Sequence, residues 1–88
     1  MALTFPNQSR SYDAVRDRIR FIGHDNVFEI VFFVEIKALV KTTNKIIRSE
    51  LGYLAAFDAA RGMFERVANK AYSRGRNSLI VLTEADVV

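Results

Sequence analysis

Three sets of side chains have the types and spacing to do chemistry. His24-Asp25 puts an imidazole beside a carboxylate, a pairing suited to proton transfer or to part of a metal site. A metal needs three or four ligands, and nothing else in the sequence announces them. An exposed turn histidine is the simpler reading, so neither a metal nor a cofactor is expected. Arg61 falls inside the apolar arc of a long helical segment, with Asp58 and Glu65 at helical reach. It is either a fixed guanidinium for an anion or a structural arginine that lays its stem on the core and pairs with acids of its own helix. The local acids favour the structural role. Arg16, Arg18 and Arg20 alternate along a strand-like run, so they share one face. With Val31 and Phe33 of the next run they form a candidate interaction surface.

The same residues set limits on activity. There is no cysteine, hence no disulfide, thiol nucleophile or thiolate metal site. No glycine-rich phosphate loop, Gly-x-Ser-x-Gly elbow or His-Glu-x-x-His motif is present. The expectation is therefore a protein that is not an enzyme and has no catalytic residues. Thirteen basic residues against ten acidic ones give a net charge of +3, which favours solubility without demanding nucleic acid. No apolar run exceeds that of Ile30–Val34, too short to span a membrane, and the N-terminal Met-Ala-Leu-Thr-Phe-Pro does not have the form of a signal peptide. These features predict a soluble cytoplasmic protein.

The stretch that must position these groups is Asn26–Glu35. Phe28, Ile30, Phe32 and Val34 take one side of a strand, and Val27, Val31 and Phe33 the other, between Glu29 and Glu35. Val15–Ile22 alternates in the same way, and Gly23-His24-Asp25-Asn26 has turn composition, which predicts a hairpin. Ile22 opposite Val27 sets Phe21 against Phe28, Ile19 against Ile30 and Arg20 against Glu29. Asn7–Ser11 is polar and reads as loop. Ile36–Thr43 has helical spacing and fades into Asn44-Lys45. Ser49–Arg74 reads as one long amphipathic helix, with Ser49 as N-cap and Tyr53, Phe57, Phe64 and Ala68 on its apolar face. Leu79–Leu82 is a strand, and Thr83 with Asp86 caps a last turn. The expected architecture is one α+β domain over residues 1–88. A mostly antiparallel sheet, made of the hairpin and the C-terminal strand, packs on the long helix, with a short connecting helix.

Several local groupings then carry a likeness. They are Phe5-Pro6, Tyr12-Asp13, Arg20-Phe21 before Gly23-His24-Asp25, Phe32-Phe33-Val34-Glu35, Ala56-Phe57-Asp58 with Arg61, Ala71–Arg76, and Leu82-Thr83 with Asp86. Together they resemble the small bacterial family named domain of unknown function 1488, along nearly the whole chain. Ile36–Arg48 departs most from that pattern. The resemblance implies a small cytoplasmic bacterial protein with no assigned activity, so it carries over no catalytic or binding residue.

One long helix covers one face of a sheet. The other face keeps Ile22, Val27, Val31 and Phe33, with only the short helix and the Ala85–Val88 tail to spare. The expectation is a non-catalytic interaction or regulatory module that self-associates as a homodimer through that face. Two alternatives stand beside it. In one, the short helix folds back and seals the face within the chain. In the other, the basic face binds single-stranded nucleic acid weakly, although an aromatic RNA-binding signature is absent and Glu29, Glu35 and Asp25 dilute the charge.

Overall fold

A computed structural model describes residues 3–43 and 46–87. Strand β1 (Arg10–Asp13), β2 (Arg18–Asp25) and β3 (Phe28–Glu35) are followed by helices α1 (Ile36–Lys41), α2 (Glu50–Ala59) and α3 (Arg61–Arg74). Strand β4 (Leu79–Leu82) and a 3-10 turn, Glu84–Asp86, complete an α+β chain. The strands lie in the order β1-β2-β3-β4. The first two pairings are antiparallel and β3–β4 is parallel, so the sheet is mixed. The readings of Asn44, Lys45 and Val88 fall outside the described residues.

The β2–β3 hairpin differs from its expected form. Ile22 meets Val31, Phe21 meets Phe32 and Ile19 meets Val34, four positions along from the pairing that turn composition suggested. Arg20 faces Phe33, and Glu29 faces His24. Gly23, His24 and Asp25 belong to β2, and the turn is Asn26-Val27, with Asn26 in the left-handed region at φ 56°. Gly23 is needed for packing: a Cβ there would lie 2.8 Å from Cε1 of Phe5. Phe5 fills that space and contacts the rings of Phe21 and Phe32, at 6.1 and 6.4 Å between centroids. Beside it, Thr4 and His24 exchange backbone hydrogen bonds of 2.9 and 2.8 Å.

Strand β1 begins at Arg10, inside the loop expected over Asn7–Ser11, of which Asn7–Ser9 stay irregular. Its Arg10, Ser11, Tyr12 and Asp13 pair with Phe21, Arg20, Ile19 and Arg18. Val15 and Arg16 consequently sit in the β1–β2 turn, not in a strand, and both are exposed. Asp13 organises that turn by accepting from the N–H groups of Val15 and Arg16 at 3.1 and 3.3 Å.

The helix expected over Ser49–Arg74 is divided at Ala60, whose φ of −107° and ψ of 15° leave the helical range. Its N–H is shared between the carbonyls of Ala56 and Phe57, the tightened last turn of α2. The Ser49 hydroxyl accepts from Gly52 N–H at 3.1 Å and caps the first turn. Across the bend, Phe57 and Phe64 stack at 5.5 Å, and Phe57 lies 5.1 Å from Phe21 of the sheet. Ile19, Phe21, Ile30, Phe32 and Val34 form one buried cluster with Ile36, Leu39, Phe57, Phe64 and Ala68.

Candidate interaction surface

Side chains paired across strands point to the same face. Opposite the main core, β2 and β3 therefore present four cross-strand pairs: Arg18 and Glu35, Arg20 and Phe33, Ile22 and Val31, His24 and Glu29. Parallel pairing with β4 adds Leu79 beside Val31 and Val81 beside Phe33. The result is a central apolar strip with Arg18 and Arg20 toward one end and Glu29 toward the other.

Ile22 and Phe33 are each 8% exposed but lie outside the main core cluster. Every buried apolar side chain of the three helices belongs to that cluster on the opposite face. That includes Ile36, Ala38 and Leu39 of α1, so the short helix does not fold over the strip. Leu79, 52% exposed, is the most open large side chain there.

What shields Phe33 is Arg18, whose guanidinium carbon lies 3.5 Å from the ring centroid. Arg18 Nε also donates to Asp13 Oδ2 at 3.3 Å. Burial alone would raise the Asp13 pKa, but donation from Arg16 N–H, Arg18 and Val15 N–H outweighs it and holds the carboxyl below its ordinary value. Of the five residues read as an interaction surface, the structure brings Arg18, Arg20, Val31 and Phe33 together. Arg16 is displaced into the turn because Val15–Asp17 connects β1 to β2. Leu79 and Val81 belong to the strip but were missed. The signal was the unbroken Leu-Ile-Val-Leu run, which marks a strand apolar on both faces.

Arg61 is 9% exposed. Its Nε donates to Glu65 at 3.2 Å and its Nη2 to the Asn7 carbonyl at 3.4 Å, while Nη1 is buried without a partner. Asp58, the other expected partner, is taken by Arg10 at 2.8 Å. The guanidinium lies 5.3 Å from the Phe57 ring centroid. Together with Asn69, whose Oδ1 accepts from Leu3 N–H at 2.6 Å, it ties the N-terminal segment to α3.

His24 and Asp25 do not act as a pair. Asp25 accepts from the Tyr72 hydroxyl at 2.6 Å, which raises the Tyr72 pKa, first through that hydrogen bond and then through burial. Among the described residues no three His, Asp or Glu side chains converge as a metal site, and no helix is long and apolar enough to cross a membrane.

A four-strand mixed sheet with three helices defines a small α+β protein. The chain belongs to the family described as Protein of unknown function (DUF1488), whose model matches residues 3–82. No curated protein and no solved structure matches it.

Proposed function

We propose that the protein is a non-catalytic interaction module, and that the sheet face opposite its helices joins two copies. The observation that carries this reading is the strip of Ile22, Val31, Phe33, Leu79 and Val81 on the face from which the helices' buried side chains are absent. A second copy is the occupant that the charges favour. Arg20 and Glu29 each lie two residues, about 7 Å, from the Ile22–Val31 pair, on opposite sides of it. A twofold axis across the strands therefore carries each Arg20 toward the His24–Glu29 pair of the other copy while the strips meet. Single-stranded nucleic acid is the weaker reading: one face of Phe33 is occupied by Arg18, and Arg18 is already paired with Asp13.

The test is Leu79→Glu and Val31→Glu, read by sedimentation and circular dichroism. Leu79 is half exposed, so the fold tolerates the charge, and the expected product is a folded monomer. Variants that unfold, or that keep the mass of the parent, contradict the reading.

A further inference from the structure

A second surface lies apart from the strip. Between α3 and the C-terminal turn runs a groove of about 230 Å³, lined by the apolar Met63, Val67 and Val87 and by the charged Arg66, Lys70, Arg74 and Asp86. The three cations follow one another at i, i+4 and i+8, about 6 Å per step along the helix. Arg74 is bound to Asp86 at 3.0 Å. Arg66 and Lys70 form no ion pair among the described residues.

The β2–β3 tip has the opposite character. Val27 is 87% exposed and Phe28 67% exposed, side by side at a two-residue turn. Asp25 stands before them with Asn26 between, and the exposed Glu29 follows. Single exposed apolar side chains are ordinary, but two adjacent ones between acids on a tight projection are a ready anchor. The 2.6 Å hydrogen bond from Tyr72 fixes Asp25, so the tip is held in place before any contact forms. Two apolar residues flanked by Asp25 and Glu29 complement an apolar groove on which Arg66 and Lys70 are the charges without an ion pair among the described residues.

We propose that the β2–β3 tip of one copy docks in the α3 groove of another, with Phe28 against its apolar lining and Glu29 against Arg66 and Lys70. The two surfaces are different patches, so the contact is heterologous and propagates into open chains unless the rotation closes a ring. It uses none of the apolar strip and shares only Glu29 with the twofold contact, so it is tested in a background where that contact is removed. Its small area makes it weak, and its charges make it sensitive to salt.

The test is complementation in full-length protein carrying Leu79→Glu, which removes the twofold contact. In that background the sedimentation mass should rise with concentration, and less so as salt is added. Phe28→Ser, which disables the tip, and the double variant Arg66→Glu/Lys70→Glu, which disables the groove, should each weaken association by about ten-fold or more. Mixed together, the two variants should form a one-to-one pair, because each retains the half that the other lacks. A background protein that keeps the mass of a single chain at every concentration overturns the proposal, and so does a mixture that fails to pair. If Leu79→Glu leaves a twofold dimer intact, the sheet-face reading fails, while the mixing result still decides this one.

Discussion

The guanidinium of Arg18 lies 3.5 Å over the ring of Phe33, on a sheet face that no helix covers. The arginine acts as a lid for the largest apolar side chain of the strip and is itself steadied by Asp13. Removing the lid has two opposed effects. Arg18→Ala loses a cation–π contact of about 1 kcal/mol, so dilute protein should melt earlier. At high concentration the bared ring adds apolar area to the contact, and self-association should tighten. Thermal melts and sedimentation on the same samples read both effects. Weaker association together with unchanged melting would show that the lid has neither role.

The main core should be far less forgiving. Phe57 and Phe64 are fully buried and stack on each other across the bend between α2 and α3. Phe57→Ala or Phe64→Ala should cost about 3–5 kcal/mol, enough to unfold a domain of this size. Urea denaturation checks this, and midpoints within a small fraction of the parent's would contradict it.

The faces of the strands were legible in the sequence, but the register was not. Side chains alternate with a period of two, so Ile19, Phe21, Ile30, Phe32 and Val34 stay on one face whether Ile22 meets Val27 or Val31. An even shift costs the pattern nothing, and the choice fell to turn composition. Gly23 looked like part of the turn, although its lack of a Cβ makes room for Phe5, a contact set by tertiary structure alone. Strand β1 was hidden because Arg10-Ser11-Tyr12-Asp13 carries polar residues at an edge. The break falls on Ala60, a good helix former, while Gly62 two residues on is itself helical, so composition does not mark the position. Of the candidate surface, Arg18, Arg20, Val31 and Phe33 were readable from alternation, whereas Leu79 and Val81 join them only through the parallel pairing of β4.

Gly23→Ala tests that tertiary contact. The added methyl would meet the partly buried Phe5 ring at 2.8 Å and the fully buried Phe32 ring at 3.1 Å, so at least one of the two must shift. Overpacking of this kind should cost about 1–3 kcal/mol in urea denaturation. Phe5→Leu in the same chain should recover part of it. A neutral Gly23→Ala would mean that the N-terminal segment does not lie against β2.

Tyr12 supplies a pH signature. Its hydroxyl donates to Asp17 Oδ1 at 2.5 Å, and that bond, followed by burial, pushes its pKa from 10.0 up to about 12. A pKa raised by folding stabilises the native state below pH 10 and loses that contribution as pH climbs through about 12. Asp17→Asn keeps a residue that accepts the φ of 54° found there but removes the charge. Tyrosinate absorbance of a Tyr53→Phe/Tyr72→Phe background should show Tyr12 ionising late, and Asp17→Asn should return it toward 10.0. Ordinary ionisation in the parent would rule the contact out.

The central claim, that the sheet face opposite the helices joins two copies, is tested most directly by sedimentation equilibrium of the unmodified protein across a wide concentration range. The chain has a mass of 10.0 kDa. A species of twice that mass is expected at moderate concentration, with larger ones only as concentration rises further. A mass of 10.0 kDa that persists to the highest concentration attainable would contradict it.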